Sequence, residues 1–191
     1  MADLYTVTTP EVRFLDAQQA RDQTVVDELV HLVNGAYAVG EAGLWRDGAT
    51  RTVPAEMADA IGSGGVLAAT LGGRLVGCAY VRPLDADTAD LGLVSAAPQL
   101  WGKGIGGELV RTAEQLMGER GTTIMQLEVL VPTTREHEGK RRLRAWYTHL
   151  GYQVVRTEPF EHVAAHLQPQ LATPCQFLIF HKPLTPNRHR N

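Results

Sequence analysis

A glycine-rich segment at residues 102 to 107 is the part of the chain whose residue types and spacing indicate chemistry most directly. It consists of Gly102, Lys103, Gly104, Ile105, Gly106 and Gly107. Glycines let backbone N–H groups approach a ligand closely, and a helix that begins there adds the positive end of its dipole. The segment therefore predicts a cradle for a phosphate or pyrophosphate group. A tight turn without a ligand is the simpler interpretation, but so many glycines at a helix start are entropically costly.

The same letters satisfy the G-x-G-x-x-G pattern of dinucleotide-binding folds, and Glu128 follows 21 residues after Gly107. In those folds the first glycine stands directly at a strand end, whereas residues 98 to 101 intervene here. Glu128 also lies inside its predicted strand, and too little chain follows for a doubly wound sheet. A nicotinamide-dependent oxidoreductase therefore stays a less favoured alternative. A Walker-type loop is excluded, because no Gly-Lys pair is followed by Ser or Thr.

The composition is that of an ordinary soluble domain. The 191 residues carry 18 basic and 21 acidic side chains and a net charge of −3, which does not favour a nucleic-acid partner. We expect one domain over residues 1–183 and a flexible tail over 184–191. No segment approaches 18 uninterrupted apolar residues, and the start lacks a signal-peptide pattern. The expectation is a cytoplasmic protein without a membrane partner.

The cysteines and histidines show no spacing typical of a metal site or a nucleophile. Cys78 and Cys175 lie apart in predicted strands, where core packing is the expected role. His162 and His166 are four residues apart, but the prolines around them argue against the helix that would bring them together. We predict no metal.

The elements that position the glycine segment follow from the apolar pattern. Residues 12–15 predict a short strand, and Asp16 is expected to cap a long helix that ends near Asn34 and Gly35. Pro54 opens a short helix, and the pair Gly72-Gly73 joins two apolar runs into a hairpin. Further strands are predicted at 88–96, 124–131, 152–157 and 176–181, and two further helices end near residues 121 and 151. Three prolines predict an extended excursion without a helix over 158 to 175.

Three of these segments resemble motifs of the GCN5-related N-acetyltransferase (GNAT) superfamily. That family's acetyl-CoA loop reads Gln/Arg-x-x-Gly-x-Gly/Ala, and residues 101–106 are similar, with Trp101 in the first position and Pro98 upstream. Residues 145–152, AWYTHLGY, resemble the family's late helix and place Tyr147 on its tyrosine. The segment LEVL at 127–130 is similar to the strand that splays to admit the pantetheine arm. Lys140 stands where many members have an asparagine.

The resemblance implies an α/β (α+β) fold with a mixed, mainly antiparallel central sheet of about six or seven strands, flanked by helices on both faces. It also implies an acetyl-CoA-dependent N-acetyltransferase, in which a primary amine attacks the thioester directly. Backbone groups of Val94, Ser95 and Ala96 would bind the thioester oxygen and the pantetheine amides, and residues 101–107 the pyrophosphate. No covalent enzyme intermediate and no metal are then required.

Two side chains would move protons in that reaction. An alkyl ammonium titrates near 10.4, so a carboxylate assists its deprotonation, and Glu128 is the candidate base. A pairing of Glu128 with a basic neighbour on the strand surface is equally compatible with the sequence. Tyr147 is the candidate acid for the leaving thiolate, although a tyrosine beside Trp146 and Leu150 could also be core.

The acceptor is expected to be the amine of a small molecule, bound by irregular segments near the thioester. The candidate residues are Tyr37, Glu41, Trp45, Arg46 and His137. Glu41 could receive a cationic amine, and Trp45 could cover an apolar group. A non-catalytic acyl-CoA sensor stays an alternative, and an exposed edge strand near the C-terminus could pair with a second copy to form a homodimer.

Overall fold

The computed structural model describes residues 9–185, which form a seven-stranded sheet and five α-helices. The strands are β1 (Glu11–Phe14), β2 (Val66–Leu71), β3 (Arg74–Pro83), β4 (Thr88–Ala96), β5 (Ile124–Pro132), β6 (Gln153–Pro159) and β7 (Cys175–Pro183). The helices are α1 (Gln23–Gly40), α2 (Pro54–Gly62), α3 (Ile105–Glu119), α4 (Glu138–His149) and α5 (Phe160–Ala164). Short 3-10 turns cover Ala17–Arg21, Pro98–Leu100 and Ala165–Gln170.

The sheet is mixed and mainly antiparallel, as predicted. Its order is β1-β2-β3-β4-β5-β7-β6, and only β4 and β5 run parallel. Gly72 and Gly73 connect β2 to β3 with φ angles of 55° and 76°, the left-handed geometry of a two-residue hairpin turn. This sheet excludes the doubly wound fold of the nicotinamide alternative, whose strands are mostly parallel.

Helices cover both faces of the sheet because the strands alternate their apolar side chains. On one face Leu67 and Leu127 pack with Leu109 of α3 and Tyr147 of α4. On the opposite face Val66 and other buried residues pack with α1 and α2. A third cluster lies under α5, where the rings of Phe160 and Phe177 stack at 5.4 Å. The two large clusters hold the sheet rigidly enough to fix the site at its centre.

The first helix differs from its prediction at both ends. Asp16 caps the 3-10 turn, in a capping box with Gln19, and Asp22 caps α1 instead. Helix α1 continues past Asn34 to Gly40, because the Asn34 side chain does not cap the helix. Its Oδ1 accepts from the backbone N–H groups of Arg51 and Thr52 at 2.8 and 3.1 Å. Asn34 therefore anchors the segment before α2.

The prediction of a helix-free excursion over 158 to 175 is wrong. Helix α5 and a 3-10 turn occupy most of it. Pro159 is the N-cap of α5, where no N–H is needed, and Pro169 lies in a 3-10 turn that tolerates it. The prolines therefore flank the helix without interrupting it.

The predicted tail begins as an ordered segment. Leu184 is buried, and its backbone N–H donates to the Thr123 carbonyl at 2.7 Å. The rest of that prediction, residues 186–191, lies outside the described residues, as do residues 1–8. Of the helices within 9–185, none has both the length and the apolar composition needed to cross a membrane.

Candidate active site

A wedge between β4 and β5 lies at the centre of the sheet. The two strands pair only where Thr88–Asp90 run beside Ile124–Gln126, and they diverge beyond this point. Strand β4 bends because it carries one extra residue opposite β3: Cys78 pairs with Ser95, but Tyr80 pairs with Gly92. Within this bulge Leu93 has a φ of 51°, a strained value for leucine. The bulge bends β4 next to the point where it separates from β5.

The backbone of β4 directs hydrogen-bonding groups into this wedge. Ala97 donates its N–H to Val76 of β3, so the alternation of the strand turns the N–H groups of Ala96 and Val94 away from β3 and toward the wedge. Ser95 pairs with Cys78, so its N–H points to β3, which corrects the expectation that it faces the ligand. The Ser95 hydroxyl donates to the Leu93 carbonyl at 3.0 Å and braces the bulge.

The glycine segment lies where the wedge opens, and it begins α3. Gly102 and Gly104 have φ angles of 80° and 84°, which other residues rarely adopt. Gly104 is the N-cap of α3 and has no side chain to satisfy the first-turn N–H groups. A Cβ on Gly106 would lie 3.4 Å from the Trp146 ring, so glycine permits close packing there. The donors of this helix start remain available to an anion.

Trp101, which departs from the family pattern, has a definite position. Its indole Nε1 donates to the Ala96 carbonyl at 2.8 Å, and its side chain is 47% exposed. The ring also lies near Gly40, at the end of α1. Trp101 therefore closes the end of β4 and forms a wall of the site.

A cavity of about 640 Å³ occupies the wedge, within the range of small-molecule sites. Most predicted site residues line it: Tyr37, Glu41, Trp45, Val94, Ser95, Ala96, Trp101, Gly102, Gly104, Ile105, Gly106, Gly107, Glu128 and Tyr147. Lys103 and His137 are not among its lining residues, and Arg46 lines a neighbouring cavity of about 340 Å³. The two cavities share several residues: Tyr37, Glu41, Trp45, Arg51 and Leu167.

Tyr147 lines the large cavity from α4, with only 6% of its surface exposed. Its ring packs against Trp146 and Tyr152 at centroid distances of 4.7 and 5.7 Å. Burial raises the pKa of the Tyr147 phenol well above its ordinary value. The hydroxyl therefore stays protonated at neutral pH, as a proton donor must.

Glu128 lines the same cavity from β5. Burial raises the pKa of its carboxyl, and the charge of nearby Asp90 raises it further against the opposing effect of several arginines. Among residues 9–185, Glu128 takes part in no ion pair, so the alternative of a basic partner on the strand surface is not realised. Asp90 is itself paired with Arg82 at 3.1 Å.

Glu41 is not free to receive a cationic amine, contrary to the expectation from the sequence. Its Oε1 accepts from Lys140 Nζ at 2.5 Å, and its Oε2 accepts from Trp45 Nε1 at 2.5 Å. The side chains of Glu41 and Lys140 are each only 6% exposed. This buried ion pair connects the end of α1 to the first turn of α4. It holds Trp45 in the cavity wall.

Arg46 and His137 hold loops in place. The Nε of Arg46 donates to the Leu171 carbonyl at 3.1 Å and so ties its loop to the chain beyond α5. His137 is the N-cap of α4: its Nδ1 accepts from the Lys140 backbone at 3.3 Å, and its Nε2 lies 3.1 Å from the Ala42 carbonyl. These contacts assign His137 a structural role outside the cavity.

The cysteines are poor nucleophiles. Cys78 and Cys175 are both buried, and burial raises the pKa of Cys78 to about 12 and that of Cys175 to about 11. Their thiols stay protonated at neutral pH. In the part of the chain that the structure describes, no three His, Cys, Asp or Glu residues are grouped as metal ligands.

Two residues of the site escape the sequence patterns. Arg51 lines both cavities, and its guanidinium carbon lies 5.1 Å from the centre of the Tyr37 ring. Lys140 belongs to the basic run Lys140-Arg141-Arg142 of α4, a pattern typical of a solvated face, yet it is buried. The spacing of residues in the sequence does not predict either position, because each side chain is placed by a contact with a distant segment.

The sequence matches the acetyltransferase (GNAT) family over residues 28–152, which is more than half of the chain. The chain belongs to the acetyltransferase (GNAT) family. No curated protein matches it in sequence.

Three solved structures illustrate the shared fold. An aminoglycoside 6′-N-acetyltransferase complexed with coenzyme A has a TM-score of 0.68 at 16% identity, covering 94% of this chain and 99% of that one. The ribosomal-protein-S18-alanine N-acetyltransferase from Escherichia coli gives 0.65 at 14%, with 95% and 99% covered. A putative acetyltransferase from Salmonella typhimurium with its cofactor acetyl-CoA gives 0.63 at 16%, with 96% and 99% covered. The predicted fold is confirmed by this similarity.

Proposed function

We propose that the protein transfers an acetyl group from acetyl-CoA to a primary amine of a small molecule. One observation carries the proposal: the wedge, the uncapped start of α3, Glu128 and Tyr147 all border one cavity. The unpaired N–H groups of the wedge suit amides of the pantetheine arm, and the α3 start suits a pyrophosphate. Two of the similar structures, with acetyl-CoA or coenzyme A bound, support the same donor.

Bound acetyl-CoA would supply an activated acyl group whose carbonyl carbon the amine attacks, forming a C–N bond as the C–S bond breaks. Glu128 takes the proton that the ammonium must lose, directly or through water. The N–H groups of Val94 and Ala96 donate to the negative charge that develops on the carbonyl oxygen. Tyr147 donates its proton to the departing sulfur, and the second proton that the nitrogen loses on becoming a neutral amide restores the Tyr147 hydroxyl. With thiols as basic as those of Cys78 and Cys175, direct attack is the favoured route.

The test measures the free thiol of CoA released from acetyl-CoA across a panel of primary amines. Release that depends on an acceptor, with the acetylated amine found by mass spectrometry, is the expected result. The alternative is an acyl-CoA sensor, for which the departures at Trp101 and Lys140 are the observations. A sensor would gain thermal stability from acetyl-CoA without releasing CoA to any amine. That pattern would overturn the catalytic proposal.

We also propose that two copies pair along β6. This strand lies at the edge of the sheet, where Val154 and Val155 are 46% and 50% exposed, and an uncovered edge offers hydrogen bonds to a second strand. Sedimentation should show a dimer that the pair of changes Val154→Lys and Val155→Lys dissociates. A monomer in the unchanged protein at micromolar concentration contradicts the pairing.

A further inference from the structure

Arg51 differs from the other cations of the large cavity because it has no carboxylate partner among residues 9–185. The cavity is lined by three basic residues, Arg51, Lys140 and Arg142. Lys140 is paired with Glu41, and Arg142 is paired with Glu138. Of the ion pairs formed within residues 9–185, none includes Arg51. A partly buried guanidinium without an anion pays a desolvation cost that a bound ligand could offset.

The position of Arg51 is fixed by its neighbours. Its backbone N–H donates to the Asn34 side chain at 2.8 Å, and its guanidinium lies over the Tyr37 ring. Arg51 lines both cavities, so it stands where the smaller one meets the larger one. The guanidinium is a planar fork of N–H donors, and such a fork suits bidentate binding of a carboxylate.

The remaining charges of the cavity support an acceptor with both signs of charge. Against the opposing effect of burial, Glu41 and, more weakly, Glu128 raise the pKa of Arg51; Glu128 lies in the same cavity and forms no ion pair with Arg51. Glu41 is neutralised by Lys140. A ligand between Arg51 and Glu128 would therefore meet one positive and one negative side chain. The nearby wall is apolar and consists of Trp45, Leu130, Leu167 and Phe177.

We propose that the acceptor is a primary amine that carries a carboxylate and an apolar side group, as in an apolar amino acid. This inference rests on the proposed function and names its substrate class. Arg51 binds the carboxylate, the apolar wall receives the side group, and the amine faces Glu128. A polyamine, which has no anion, would place positive charge against Arg51 and is expected to be a poor acceptor.

The test compares acceptors that differ only in the carboxylate. Phenylalanine and leucine are measured against their amides, which keep the side group and the amine. The amide has the more easily deprotonated amine, so at neutral pH a larger fraction of it is in the neutral form that attacks, and the ionisation of the amine does not favour the acid. We expect kcat/KM to favour the acids by roughly 10- to 100-fold, the effect of charge-assisted hydrogen bonds to a carboxylate. The change Arg51→Gln should remove this preference, mainly through KM.

Two further variants locate the effect. Arg74→Gln changes an exposed arginine of the β2–β3 hairpin, and both the preference and the activity should remain. If Arg46→Gln removes the preference and Arg51→Gln does not, the anion site lies in the smaller cavity and the assignment is wrong. An unchanged rise in melting temperature with CoA shows that Arg51→Gln still folds and still binds the donor.

The outcomes separate this inference from the proposed function. Equal turnover of acids and amides overturns the carboxylate assignment and leaves the transferase intact. If CoA binds but no amine releases it from acetyl-CoA, the proposed function fails. Calorimetry then still decides the inference, because acids and amides can be titrated into the CoA-saturated protein. Tighter binding of the acids that Arg51→Gln abolishes supports the anion site, and equal binding rejects it.

Discussion

Tyr147 shows how one residue can serve packing and chemistry together. Its ring belongs to the large apolar cluster that α4 forms with the sheet, yet the residue borders the cavity. The same burial that makes it a core residue raises its pKa and keeps the proton in place. The two interpretations that the sequence leaves open for this tyrosine are therefore compatible.

The change Tyr147→Phe should lower kcat about 10²- to 10⁴-fold, the usual range for a general acid, and leave the affinity for CoA unchanged. Steady-state kinetics and a CoA titration measure the two effects. Tyr152→Phe is the matched control, because it also removes a buried tyrosine hydroxyl, and Tyr152 does not line the cavity. Unchanged kcat in Tyr147→Phe would show that the thiolate leaves without this donor.

Glu128 combines a functional requirement with a cost in stability. Its pKa is higher in the folded protein than in the unfolded chain, mainly because of burial. The stability that protonated Glu128 contributes is fully present below the unfolded pKa, about 4.3. It is lost as the pH rises through the folded pKa. Ionised Glu128 is therefore a destabilising residue at neutral pH.

The change Glu128→Gln should raise the melting temperature at pH 7 while it lowers kcat/KM at least about 10²-fold. The difference in melting temperature should vanish in acid, where both proteins carry a neutral side chain. In the unchanged enzyme, activity should fall as the pH drops, with a midpoint above the ordinary range of a glutamate. Glu161→Gln, at an exposed position of α5, should change neither quantity. Full activity of Glu128→Gln would assign the base elsewhere.

At the scale of elements, two helices reach the site by different means. Helix α3 packs directly on the sheet at a glycine: a Cβ on Gly77 of β3 would lie 2.7 Å from Ile105 and 2.9 Å from the Ser95 carbonyl. The contact therefore sets the distance of the α3 start from the wedge. Helix α4 is attached to α1 through the buried pair of Glu41 and Lys140.

The change Gly77→Ala should displace α3, destabilise the fold by about 1 to 3 kcal/mol and weaken CoA binding, because the new methyl group overpacks the contact. Denaturant unfolding and a CoA titration measure these effects. Gly35→Ala provides the comparison: its Cβ meets nothing within 4 Å, and alanine is the better helix former. If Gly77→Ala binds CoA normally, the cradle tolerates movement of α3.

The buried ion pair can be tested with a double-mutant cycle of Glu41→Gln and Lys140→Met. Each single change should lower the free energy of unfolding by about 3 to 5 kcal/mol, because it leaves the charge of the other residue buried without its partner. The double change should cost clearly less than the sum of the two. Additive losses would mean that the pair does not act as a unit. Urea unfolding of the four proteins gives the coupling energy.

For the whole molecule, the sequence predicts the regular parts well because they depend on local patterns. The strands, the Gly72-Gly73 turn and the helix start at Gly104 follow from apolar alternation and from the conformations that glycine permits. The family resemblance is confirmed, and its motifs place Tyr147 and the glycine segment on one cavity.

The rest could not be predicted, because it depends on contacts between distant segments. The sequence predicts a helix end at Asn34, but in the structure the Asn34 side chain binds the backbone near Thr52 and the helix continues. The charge-rich sequence around Lys140 is typical of a solvated surface, whereas the structure pairs Lys140 with Glu41, which is 99 residues away. No sequence pattern distinguishes Arg51, and only the tertiary structure shows that it lies beside Tyr37 and lines the cavity.

The short parallel contact between β4 and β5 has a consequence for how the molecule unfolds. Three residue pairs are all that join the strands β1 to β4 to the strands β5 to β7 across the sheet. Each half is a continuous antiparallel ladder, and the two ladders are joined otherwise through the buried side-chain cluster that contains Leu67 and Leu127. An acetyl-CoA molecule bound in the wedge would contact both β4 and β5 and so connect the two parts of the sheet. Hydrogen exchange should therefore be faster for the amides of β4 and β5 that border the wedge than for those inside the two ladders, and CoA should protect them.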